Sequence, residues 1–325
     1  MQDLHNRRMA ESTLVAPPTA EAELHALRQQ ALALALRRAT SDGTHATAVP
    51  GLKLIRASAP AAQLPAVYEP GLVLALQGAK QVQLGDEVLT YGPSHCLLVA
   101  MPLMPRSHVI QATPDQPYIC LRFNCDTQTL ADLLLELDAG PPVPTAPVEP
   151  ATCGLNLAPV TAPLLDAALR LLQLLDTPQD LRMLAPLVQR EIFYRVLTGP
   201  LGPRLRALAA GDSAAPRIAR AVEQLTQRYD QPLRIDELAA SAAMSPSTLH
   251  LRFKQLTTLS PLQFQKSLRL QHARRLMLAE GLDASTAAHR VGYESPSQFS
   301  REYRRLFGTP PRADISQLKA PADAT

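Results

Sequence analysis

Residues 245–256 read SPSTLHLRFKQL and residues 295–306 read SPSQFSREYRRL, two stretches sharing one frame: Ser-Pro-Ser at the start, an apolar residue fifth, an aromatic ninth and leucine last. Each opens with a serine suited to an N-cap, whose side-chain oxygen accepts an orphaned backbone N–H. Proline follows at the first helical position, where its missing N–H costs nothing. Both stretches therefore begin helices. At about 100° per residue, Leu249, Phe253 and Leu256 point one way, as do Phe299, Tyr303 and Leu306, so each helix buries a narrow stripe. The opposite faces carry Ser247, His250, Leu251 and Lys254 in the first helix and Ser297, Ser300, Arg301 and Arg304 in the second.

Shorter helical segments, IDELAASAAM (235–244) and STAAHRV (285–291), precede these helices across tight turns, and Gly292 stands where a positive φ is expected. The pattern is a helix-turn-helix, twice. Such a unit lets its second helix protrude into a major groove while the first braces it across the backbone. Between the units runs PLQFQKSLRLQHARRLML (261–278), with Leu262, Leu270, Ala273, Leu276 and Met277 on one side and Phe264 and Leu268 on the other. A helix apolar on two sides can be packed by both units. Arg269 falls among those apolar positions and is read as pairing with a carboxylate or carbonyl rather than with DNA. One unit alone would also fit a bundle of short amphipathic helices with solvated basic side chains; duplication in the same register argues against that.

Charge follows the same division. Residues 1–211 carry 16 Lys+Arg against 18 Asp+Glu, a net −2, while residues 212–325 carry 16 against 11, a net +5. The basic third points to a polyanionic partner. The whole chain, 325 residues with 46% hydrophobic and 19% charged, has the composition of an ordinary folded protein long enough for more than one core. Its apolar runs fall short of the roughly 18 residues of a membrane span, and MQDLHNRRMAES lacks the apolar segment of a secretory signal. A cytoplasmic location without a membrane partner is expected. Cys96, Cys120, Cys125 and Cys153 are irregularly spaced with no CxxC pair, so reduced thiols are the default.

Upstream, a polar tail precedes a helix over 21–40, and from about 49 the texture becomes short β-rich runs. AKQVQL-GD-EVLTY places two alternating segments around a Gly-Asp pair, a strong hairpin signal. Many short strands with close turns predict a small antiparallel barrel or sandwich. Half the residues of 141–150, PPVPTAPVEP, are proline and mark a stiff connector; helical segments follow it. Four stretches result: 1–40, tail and first helix; 41–150, β-rich; 151–211, helical; 212–325, the double helix-turn-helix.

The stretch from about 216 to 312, above all RLMLAEGLDASTAAHRVGYESPSQFSREYRRLFGTPP, resembles the C-terminal DNA-binding domain of the AraC/XylS family of bacterial transcription regulators. The resemblance implies that the second helix of each unit enters one of two successive major-groove segments. By position, base contacts would fall to Ser247, His250 and Leu251, and to Ser297, Gln298, Ser300 and Arg301. Arg301 leads, since a guanidinium can bond a guanine edge bidentately. Lys254 and Arg304 lie further along and would touch phosphate. Leu251 stands where the family more often has a polar or basic residue, leaving room for a thymine methyl, and Ala242-Ala243 stand near a turn where glycine is common.

The β-rich half is similar to the N-terminal domain of one branch of that family, a cupin-like barrel followed by helices. The implied fold class is α+β: an N-terminal cupin-like β-barrel with helices, then an all-α domain of two helix-turn-helix units. The implied function is a sequence-specific transcription regulator controlled by a small-molecule effector at the barrel's mouth, dimerising through the helical middle. Its expected partners are double-stranded promoter DNA, RNA polymerase, an unidentified effector and a second copy of the chain. No cofactor, metal or catalysis is expected: His95 and His108 stand thirteen apart, without the HxH motif of metal cupins, and His272 and His289 have no companions at ligand spacing. The alternative is a cupin-type binding protein or enzyme whose helical tail is only an interaction module. One thiol is a candidate for redox or electrophile sensing. Cys120 shares a strand face with Arg122, and a nearby guanidinium lowers a thiol pKa; the commoner arrangement is a small buried apolar cysteine.

Overall fold

The computed structural model describes residues 20–60, 64–124, 127–138, 154–203, 206 and 214–319. The polar tail, the 141–150 connector, Cys125 and Cys153 lie outside the described residues. Helix α1 (Ala20–Arg38) opens the chain, with Glu21 and Glu23 in its first turn and Arg37 and Arg38 in its last, each favourable to the helix dipole.

Ten strands then form two antiparallel sheets among the described residues. One holds β1 (Gly43–Ala46), β2 (Leu52–Ala57), β9 (Tyr118–Asn124), β4 (Gly71–Gln77), β7 (His95–Val99) and β10 (Leu155–Pro159), in that order. The other runs β3 (Leu64–Pro65), β8 (Arg106–Gln111), β5 (Ala79–Leu84), β6 (Glu87–Tyr91). The predicted hairpin is present: Leu84 pairs Glu87 across Gly85-Asp86. The barrel expectation is corrected. Neither strand order returns on itself, so the sheets face each other without closing.

Central strands such as GLVLALQ show no polar alternation because both of their faces are covered. Leu72, Leu74, Leu76, Cys96, Leu98, Ile119 and Leu121 pack beneath a helical layer of α1, α3 (Ala162–Leu174) and α4 (Pro178–Leu197). Val73, Ala75, Leu97, Val99, Tyr118 and Cys120 face the other sheet. Each fully buried large side chain contributes about 1.5–3 kcal/mol by leaving water. Two elements depart from the sequence reading. Helix α2 (Thr127–Asp138) precedes the connector, and β10 follows it to pair with β7 inside a stretch read as helical.

The C-terminal part holds α5 (Ala214–Gln227), α6 (Ile235–Ser241), α7 (Pro246–Thr257), α8 (Pro261–Ala279), α9 (Ala284–Arg290), α10 (Pro296–Phe307) and α11 (Pro311–Lys319). Two cores share the long helix α8. Phe264 and Leu268 join Val222, Leu225, Leu238, Leu249 and Phe253, while Leu270, Ala273 and Met277 join Ala288, Val291, Phe299 and Tyr303. Leu262, expected on the second side, is half exposed instead. The first core is continuous with the apolar space between the sheets, and a Cβ added to Gly85 in the β5–β6 turn would lie 3.0 Å from Thr258 Cγ2 at the end of α7.

Candidate nucleic-acid interface

The two repeated helices are built alike. Ser245 Oγ accepts the Thr248 amide and Ser295 Oγ accepts the Gln298 amide, both at 3.3 Å, with Pro246 and Pro296 opening the helices. The preceding turns match as well, since the Met244 amide donates to Ala239 O and the Tyr293 amide to Ala288 O, both at 3.0 Å. Leu249, Phe253, Phe299 and Tyr303 are fully buried, which leaves the opposite faces outward.

On those faces Ser247, His250, Leu251 and Lys254 are exposed in α7, and Ser297, Gln298, Arg301 and Arg304 in α10. Ser300 is half-buried. Leu251 keeps 58% of its surface in water, much for a leucine. Arg301 forms no ion pair or hydrogen bond among the described residues, so its five donors face solvent.

Behind α10 lies a polar junction that sequence reasoning only partly reached. Glu302 accepts from Lys266 Nζ at 2.7 Å, from the Tyr293 hydroxyl at 2.7 Å and from Gln298 Nε2 at 3.2 Å. Burial pushes its carboxyl up, yet those three hydrogen bonds outweigh burial and hold it below the usual carboxylate range. It therefore holds the Gln298 side chain, while Glu294 is exposed. Arg269 donates to four carbonyls, those of Tyr229 (2.7 Å), Gly292 (2.7 Å), Asp230 (3.2 Å) and Gln231 (2.8 Å). The carbonyl reading of Arg269 stands. Its placement among apolar positions was the available signal; Lys266, thirty-six residues from Glu302, gave none. His272 stacks on Tyr229 with ring centroids 3.9 Å apart. His289 is exposed.

In the space between the sheets, the Tyr118 hydroxyl donates to Tyr91 Oη at 3.3 Å, Lys80 Nζ lies 5.3 Å from the Tyr68 ring centre, and the Tyr68 hydroxyl is buried near that of Tyr91. Cys120 is buried there beside Tyr118. Burial pushes its thiol up, and the pull of Lys80 and Arg122 in the other direction does not overcome it. The expected guanidinium influence is thus present but smaller than desolvation. His95 is exposed and hydrogen-bonded to Ser94, while His108 is half-buried.

Residues 48–204 match the family model of the AraC-type transcriptional regulator N-terminus, and residues 238–316 match that of a helix-turn-helix domain. The chain belongs to the AraC family of transcriptional regulators. Among AraC-family relatives, it is 27% identical to the HTH-type transcriptional regulator ArgR of Pseudomonas aeruginosa over 149 residues, 46% of this chain and 45% of that one. With the HTH-type transcriptional activator RhaS of Escherichia coli it shares 31% over 106 residues, 33% of this chain and 38% of RhaS. The chain thus spans less than half the length of these curated relatives. The crystal structure of an apo ToxT variant from Vibrio cholerae superposes with a TM-score of 0.53 at 12% identity, covering 85% of this chain and all of that one, so the two share a fold.

Proposed function

We propose that this AraC-family chain is a sequence-specific DNA-binding transcription regulator, with residues 212–325 reading duplex DNA and residues 41–150 sensing a small molecule. One observation carries the first half: two identically capped helices, held on one connecting helix, each carry solvent-exposed polar and basic side chains opposite their buried stripe. In the proposed complex Ser247, His250, Leu251, Ser297, Gln298, Ser300 and Arg301 meet base edges, and Lys254 and Arg304 meet phosphates. RNA polymerase is the further partner such a regulator needs, and the cell interior is where it acts.

The effector site belongs between the sheets, where Tyr68, Tyr91, Tyr118, Lys80 and Cys120 gather. A ToxT structure of the same fold, TM-score 0.51 and 10% identity, is bound to a naphthyl-butenoic acid, an instance of this fold holding a small organic ligand. An effector regulates only if it binds one arrangement of the two halves better than another. The continuity of the apolar core from the sheets into α7 and α8 offers the route.

Dimerisation is proposed through α4. Met183 (72% exposed), Leu187 (62%) and Tyr194 (38%) lie along one side of that helix, and Leu135 (72%) is exposed on α2, which an Arg190–Glu136 ion pair holds against α4. A second copy of the same stripe would cover them. Sedimentation of wild type against Leu187→Asp tests this: the wild type should run as a dimer and the variant as a monomer, and equal behaviour removes α4 from the interface.

The function is tested by enriching bound duplexes from a random pool with the full chain, then titrating the enriched sequence at several salt concentrations. Saturable binding far tighter than to scrambled duplex, weakening steeply with salt, is expected. Equal affinity for both duplexes would favour a binding protein or enzyme with a helical interaction module.

A further inference from the structure

The two helix-turn-helix units have separate apolar cores that meet on α8 and on Tyr229. A shared helix alone leaves the angle between the units soft, because each core grips a different side of it. Apart from Tyr229, what crosses directly from one unit to the other is polar. The guanidinium of Arg269 takes the carbonyls of Tyr229, Asp230 and Gln231, in the segment that follows α5 of the first unit, and the carbonyl of Gly292, in the turn that aims α10 of the second. Gln265 adds a 2.8 Å bond to the same Gln231 carbonyl. The units are also in close contact there: a Cβ on Gly292 would lie 2.0 Å from Asp230 O.

Arginine suits this task for a geometric reason. Its donors sit in a rigid planar fork, so four acceptors bound at once are fixed relative to one another, whereas an ammonium on a flexible stem fixes none of their mutual angles. We infer that Arg269 is a positioning residue that sets the separation and angle of the two recognition helices, and hence the base-pair spacing between the two DNA segments the chain reads. This rests on the DNA-reading function proposed above. The base-facing side chains would then choose which bases are read, and Arg269 how far apart.

The test uses the full chain and the duplex it enriches from a random pool, together with versions in which one base pair is inserted or removed between the two protected segments. One base pair shifts the second segment by about 3.4 Å and turns it by about 35°. The wild type should lose about tenfold or more in affinity on either change, the worth of one bidentate base contact. Arg269→Lys, which keeps the charge, should discriminate among spacings by less than about threefold, or prefer a new spacing, while base preferences within each segment persist. Gln265→Ala should move in the same direction by less and carries the test if the lysine variant does not fold. A purely structural role would lower affinity at every spacing alike, so an unchanged ratio between spacings in both variants overturns the inference. If the wild type enriches no sequence, the DNA-reading premise fails and the inference with it.

Discussion

Ala243 and Gly292 occupy the same point of the two repeats, with φ of 51° and 86°, each followed by the amide that bonds back into the preceding short helix. Only one of them is the residue that conformation favours. A side chain in the left-handed region costs about 1–2 kcal/mol, and glycine returns about 0.4–1 kcal/mol of that through the freer unfolded chain. Ala243→Gly should therefore stabilise the protein by about 0.5 kcal/mol, read as a higher urea midpoint. Gly292→Ala should destabilise it by about 2 kcal/mol or more, since its new methyl would collide with Asp230 O.

Arg301→Ala tests the leading base contact. If the guanidinium reads a guanine, the variant should lose about 1–3 kcal/mol at the enriched site and little on scrambled duplex. Equal loss on both would reassign Arg301 to phosphate.

Lys254 and Arg304 are assigned the opposite behaviour. Alanine at either position should weaken binding to all sequences alike and reduce the slope of log affinity against log salt by about 1. An unchanged slope would place that side chain off the backbone.

Asp314 supports the second unit from below. It accepts Arg274 Nε at 2.7 Å, Arg274 Nη2 at 2.9 Å and the Tyr303 hydroxyl at 2.6 Å, and is 6% exposed. Asp314→Ala leaves a largely buried guanidinium and phenol without their acceptor and should cost about 3–5 kcal/mol in chemical denaturation. A loss under about 1 kcal/mol would mean water replaces the carboxylate.

His272 gives a pH dependence. Burial, helped by Arg275, holds its imidazole below the ordinary value of 6.5, so the unfolded chain takes up the proton more readily than the folded one. Stability should be full above the unfolded value and fall as pH drops through about 6.5 toward the lower folded value. His272→Phe keeps the stack on Tyr229 and should flatten the melting temperature over that window; an unchanged profile would assign the dependence to other groups.

The double helix-turn-helix was legible because its signals are local. Serine caps, Pro246 and Pro296, and apolar residues three and four apart need no knowledge of distant partners. The exposed faces followed from the buried ones by arithmetic. The β-rich half was legible as texture and as one hairpin, but whether its sheets close depends on which strands become neighbours, and strand order leaves no local mark. Strand β10, five residues containing Asn156 and Pro159, reads as nothing by itself; β7 makes it a strand. The ion pair of Glu302 was invisible for the same reason, since Lys266, thirty-six residues away on α8, approaches only once the second unit has packed on that helix.

That β10 arrives after the connector also bears on how the sensor can be cut free. A fragment ending before Leu155 would strip the outermost strand from the six-stranded sheet, baring the backbone of β7 together with Leu97 and Val99, an invitation to edge-to-edge aggregation. It would also discard α3 and α4, whose leucines roof the same sheet. Any self-sufficient piece of the proposed sensor must then run at least through Leu201, the last buried residue of that layer, and a shorter piece that precipitates would say nothing about the effector.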